Sequence, residues 1–105
     1  MFTRHVIMQL KPDSAAEFTS TVEKTILPMM RRQNGFREEI TFISVDNSEA
    51  IANSFWETKA DAEVFDLVGY PQVLKALSNV VEGTPRVGNA VVSNSTLHKI
   101  APRAA

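Results

Sequence analysis

Ile26-Leu27-Pro28-Met29-Met30-Arg31-Arg32-Gln33-Asn34-Gly35-Phe36 joins a helical pattern to a strand, and the elements on either side of it decide the fold. Upstream, Phe18, Val22, Ile26 and Met29 or Met30 recur at helical spacing, so one face of a helix is apolar. Gly35 can take the left-handed conformation that other residues resist, and Phe36 can fold back onto the last turn. Arg31 and Arg32 lie where cations complement the negative end of the helix dipole. The helix is therefore expected to stop at Gly35. Pro28 falls inside the apolar pattern, where it deletes a backbone donor at a cost of about 3 kcal/mol unless the helix bends, so a kink or break is predicted near residues 25–27.

Outward from this passage, Phe2–Leu10 alternates Val6, Met8 and Leu10 with His5, Ile7 and Gln9, the two-residue period of a strand. Lys11-Pro12-Asp13-Ser14 turns the chain, and Ser14 with Glu17 matches a capping box that opens the first helix. After Phe36, residues 38–45 and 50–57 read as a hairpin around Asp46-Asn47-Ser48-Glu49. Thr58-Lys59-Ala60-Asp61 caps a second helix carrying Ala62, Val64, Phe65 and Val68, which Gly69-Tyr70 stops. Pro71 opens a further helical segment with Val73, Leu74, Leu77 and Val80; Gly83-Thr84-Pro85 ends it, and a last strand is expected within residues 87–100. The order strand, helix, strand, strand, helix, strand predicts an α+β fold, a ferredoxin-like βαββαβ sandwich spanning residues 1–105 as a single domain. Its helices cover one sheet face, and a second copy is expected on the other.

Composition narrows the functional classes. A formal net charge of −1 with interspersed acidic and basic residues offers no basic stripe for a phosphate backbone, so nucleic acid is not an expected partner. The absence of cysteine removes disulfide scaffolds, thiolate catalysis and zinc ribbons, and suits a reducing, cytoplasmic setting. No apolar run approaches membrane-spanning length, so no membrane is expected as a partner. Four dispersed glycines make no phosphate loop, and no serine sits in a nucleophile elbow.

Pro28 through Phe36, together with Phe55-Trp56-Glu57-Thr58-Lys59-Ala60-Asp61, resembles the antibiotic biosynthesis monooxygenase family of dimeric α/β barrels, and the family pattern is compatible with residues 2–100. The resemblance implies a homodimer with a pocket between the sheet and the second helix, and a small aromatic or polyketide-like substrate oxidised by molecular oxygen with no metal or flavin cofactor. Trp56 matches the family tryptophan that contacts substrate, and Asn53 is the side-chain amide near it that would hold a developing enolate. Alternation along the strand places Asn53 and Trp56 on opposite faces unless a bulge intervenes. The chain departs from the family where many relatives carry a helix-two histidine: Val64-Phe65-Asp66-Leu67 stands there, which argues against haem ligation.

Among the remaining candidates, His5 and His98 are the two histidines, on first and last strands that pair in this fold. A metal would need a further ligand that neither strand offers, so no metal site is expected. His5, on a central strand, is the better general base. Phe42, Phe65 and Tyr70 are candidates to line an aromatic pocket, and Arg4 and Arg86 to meet an anion, although aromatics at these spacings are more often plain core and an exposed arginine is ordinarily a solvated surface group. A non-enzymatic dimeric barrel binding a small apolar ligand would use the same aromatics.

Overall fold

The computed structural model describes residues 1–97; His98 and the expected end of the last strand lie outside them. Strand β1 (Phe2–Leu10) occupies an interior position in a four-stranded antiparallel sheet with β2 (Phe36–Ile43), β3 (Glu49–Trp56) and β4 (Val81–Val91), in the order β2-β3-β1-β4. Helices α1 (Ala15–Thr21) and α2 (Leu27–Met30) precede the hairpin, and α3 (Lys59–Val68) and α4 (Tyr70–Ala76) follow it. This is the predicted ferredoxin-like arrangement.

The two-residue period divides the sheet cleanly. Val6, Met8 and Leu10 of β1, with Ala50, Ser54 and Trp56 of β3, are buried beneath the helices. The opposite face carries His5, Ile7, Ile51, Asn53 and Phe55, and β2 adds Ile40 and Phe42. The core closes where Phe18, Val22, Ile26 and Met30 descend from the first helical segment onto Trp56, Phe65, Leu77 and Val80.

Pro28 acts without breaking the helix. A π-helical turn, Val22–Ile26, separates α1 from α2, and the Leu27 amide bonds the Val22 carbonyl five residues back. This wider turn lies in and just before the predicted kink, absorbing a residue that cannot donate. The helix ends at Met30, earlier than expected. Arg31, Arg32 and Gln33 continue in tight turns, and Gly35, at φ +78°, supplies the left-handed step into β2. Glycine is required there twice over, since an added Cβ would also collide with the Asp61 carboxylate.

Two local expectations are corrected, at Ser14 and at the start of the last strand. Ser14 makes no side-chain cap bond to the helix; its hydroxyl instead donates to the Pro12 carbonyl at 3.3 Å. Of the four apolar residues that α3 carries, Val64 and Val68 are exposed, while Ala62 and Phe65 point inward. The last strand begins at Val81, because Gly83-Thr84-Pro85 does not terminate anything: it forms an irregularity within β4, where pairing jumps from Ile7 with Arg86 to Gln9 with Glu82. Gly83 takes φ +67°, and Pro85 is tolerated because β4 is an edge strand. The Thr58 cap holds: its hydroxyl oxygen accepts the Asp61 amide at 3.1 Å.

Candidate functional site

Between the sheet and the helices lies a cavity of about 50 Å³. Small side chains, Ala52 and Ser54, form its floor. Phe18, Val22 and Ile26 form one wall; Phe65, Tyr70 and Val73 form the other. A dry cavity of about 150 Å³ is known to hold benzene, so an aromatic ring enters here only if lining side chains move. Met8 and Met30 are the unbranched, adaptable members of that lining.

Register places the polar groups. Glu39 on β2 stands opposite Ser54 on β3, and Ser54 stands opposite Arg4 on β1. The three form one cross-strand row on the helix-covered face. With neighbouring strands about 4.8 Å apart, the Glu39 and Arg4 backbones lie about 10 Å from each other, on either side of the serine.

Arg4 is only 3% exposed, and its guanidinium donates to an Asp66 carboxylate oxygen at 2.6 Å. Asp66 is half exposed, so it anchors a buried cation to a solvated anion. The guanidinium also lies 4.1 Å from the centroid of the Tyr70 ring, a cation–π contact that fixes its plane. Burial pushes the Tyr70 phenol up from its ordinary pKa, while the positive charge of Arg4 pulls it partway back. The phenol therefore stays protonated at neutral pH.

Glu39 accepts a hydrogen bond from the Thr41 hydroxyl. Burial raises its carboxyl pKa, and the threonine bond opposes that rise. Trp56 is fully buried behind the cavity, not in its lining; its indole N–H donates to the Ser54 hydroxyl at 2.9 Å, and that hydroxyl in turn donates to the Arg4 carbonyl. Phe36 and Phe65 pack on the indole at centroid distances of 5.6 and 4.9 Å.

The sequence-derived candidates divide between the two faces. Phe65 and Tyr70 line the cavity, and Trp56 touches it through Ser54. His5 and Asn53 are paired neighbours on the opposite face, with Gly88 beyond His5, because odd-numbered positions of β1 and β3 point away from the helices. Asn53 donates to the Ile40 carbonyl at 3.5 Å. Phe42 lies on that same outer face and is 57% exposed. His5, Asn53 and Trp56 therefore do not share the pocket expected of them. Glu39, Thr41 and Ser54 were not singled out from sequence; the available signal was the even-numbered period of β3, which leads to Ser54 and, through register, to Glu39. Among the described residues, no group of three or more histidine, cysteine or carboxylate side chains stands close enough to hold a metal ion. No helix among them is long and apolar enough to cross a membrane.

With this geometry, the backbone superimposes on several solved structures. A monooxygenase from Streptomyces coelicolor, determined in complex with nanaomycin D, matches with a TM-score of 0.77 and 17% identity over 91% of this chain and 90% of that one. SnoaB, a cofactor-independent oxygenase from Streptomyces nogalater, matches with a TM-score of 0.73 and 18% identity over 90% and 95% of the two chains. A candidate antibiotic biosynthesis monooxygenase from Bordetella bronchiseptica gives 0.74 and 16% over 91% and 97%. The chain has the antibiotic biosynthesis monooxygenase fold. At these identities the likeness concerns the backbone, and a shared fold hosts different activities. No family model matches the sequence, and no curated protein matches it.

Proposed function

We propose that the chain is a cofactor-independent monooxygenase whose reaction centre is the cavity between the sheet and the helices, acting on a small aromatic or polyketide-like molecule. The observation that carries the proposal is a largely apolar, helix-covered cavity with a cation and a carboxylate on either side of a small floor. Two Streptomyces oxygenases with the same fold support it. Such a reaction asks the protein for desolvation, orientation and charge stabilisation. A ring methylene beside a carbonyl loses a proton, the carbanion passes an electron to molecular oxygen, and the radicals recombine into a C–O bond. Protonation gives a hydroperoxide that loses water, so CH₂ and O₂ become C=O and H₂O. Purified protein supplied with an anthrone-type substrate and no added metal or flavin is expected to consume one oxygen per quinone formed.

The predominantly apolar lining also favours a second reading, a barrel that binds a small apolar ligand without turnover. Saturable binding across a broad aromatic panel with no oxygen uptake would establish that reading. On either, we propose a cytoplasmic homodimer in which a second copy covers Ile7, Ile40, Phe42, Ile51 and Phe55 of the outer sheet face. A monomeric mass by light scattering at micromolar concentration would overturn the dimer.

A further inference from the structure

Glu39 and Arg4 arrive at the cavity from strands that are not neighbours, and β3 between them contributes only small side chains, Ala52 and Ser54, to the cavity lining. The sheet thus presents an acceptor and a cation on opposite sides of a gap. They do not neutralise each other: the ion-pair partner of Arg4 is Asp66, across the cavity edge on α3. An arginine carries five N–H donors in a planar fork, and the contact with Asp66 engages one nitrogen, Nη2.

We propose that Glu39 is the proton acceptor and Arg4 the anion anchor for a substrate that is a phenol or an enolisable ring ketone. The O–H, or the C–H beside the carbonyl, gives its proton to a Glu39 carboxylate oxygen. The electron pair stays on the substrate as an oxyanion, which the Arg4 guanidinium holds. Tyr70, stacked on Arg4, is a positioning residue that keeps the fork facing the gap. The assignment rests on the cavity being the reaction centre.

The surroundings of Glu39 suit the role. Arg4 and Tyr70 face the same cavity, while Glu38, Arg37 and Arg31 border an outer cleft that Glu39 also reaches. Apolar side chains of the first helical segment, Val22, Ile26 and Met30, line the same cavity. A carboxylate held among such groups with its pKa raised is better matched to a weakly acidic proton than a solvated one.

The test uses 4-nitrophenol, above its own pKa so that the free probe is phenolate, with full-length protein and calorimetry in two buffers of different ionisation heat. Bound phenolate beside Glu39 reproduces the state after proton transfer, so wild type is expected to take up about one proton for each probe bound. Glu39→Gln, close to isosteric, is expected to bind the probe and take up none. Arg4→Lys keeps a charge in the same space but loses the fork, and is expected to bind about tenfold more weakly. Failure of folded wild type to bind the probe would overturn the substrate class. Binding without proton uptake, or equal uptake in Glu39→Gln, would overturn the acceptor role, and unchanged affinity in Arg4→Lys the anchor role. Oxygen uptake is no part of the readout. Proton uptake without turnover therefore sinks the oxygenase reading alone, and turnover without proton uptake sinks the Glu39 assignment alone.

Discussion

Removing the bond between Trp56 and Ser54 separates a positioning role for the tryptophan from a packing role. Ser54→Ala leaves the indole N–H buried with its acceptor gone, a loss of about 1–3 kcal/mol. Trp56→Phe gives up the same bond and part of a fully buried ring that contacts Phe36 and Phe65. Truncating a buried aromatic to alanine costs about 3–5 kcal/mol, and phenylalanine retains the larger part of the packing, so about 2 kcal/mol is expected. In the double variant neither partner remains unsatisfied. Its loss should fall short of the sum of the single losses by about 1 kcal/mol, the net worth of the bond with the orphan penalty relieved. Urea unfolding followed by circular dichroism measures all four proteins, at one fixed concentration because dimerisation would add to apparent stability. A loss near 2 kcal/mol also lowers Tm by about 8–16 °C in a domain of this size. Single losses that add to within about 0.3 kcal/mol would refute the bond as an energetic link between Trp56 and the cavity.

Glu39→Gln should gain stability over wild type as pH rises. The folded-state pKa of Glu39 lies above the ordinary 4.5, so its contribution is fully present below the unfolded value and lost as pH rises through the folded one. Equal urea midpoints for the two proteins at acid and neutral pH would contradict this. Gly35→Ala meets both a left-handed backbone and the Asp61 carboxylate. A loss of at least about 1 kcal/mol is expected by thermal melting, and Asp61→Ala should relieve only the collision. Gly88→Ala would drive a methyl group into the His5 imidazole across the strands and should cost about 1 kcal/mol. In a His5→Ala background the same change should stabilise by about 0.5 kcal/mol, since alanine loses less backbone freedom in a strand than glycine. A destabilisation of equal size in both backgrounds would show that His5 does not occupy that space.

Alternation makes the sheet legible in the sequence. Val6, Met8 and Leu10 against His5, Ile7 and Gln9 define two faces of β1, and the same rule separates Asn53 from Trp56. Gly35 and Thr58 were legible because each has a local mechanism. The site was legible only in part. Phe65 and Tyr70 are large aromatics flanking a helix end, whereas Glu39, Ser54 and Arg4 belong together solely through strand register, which couples residues far apart in sequence. His5 and Asn53 stand out by residue type, and type carries no information about which face a side chain takes. Gly83-Thr84-Pro85 looks like a helix end in the sequence because a bulge in an edge strand uses the same residues as a chain reversal.

The helix-facing period of β3 also governs how such a protein can diverge. Deleting one residue between Ala50 and Trp56 would exchange the two faces beyond the cut and turn the cavity floor outward. Descent can therefore retune the cavity by replacement, one side chain at a time, while changes of length are confined to places such as the hairpin tip around the fully exposed Val45. In lineages sharing this sheet, differences in ligand preference should be written in substitutions at even-numbered positions of β3, and insertions should mark only the outline of the molecule.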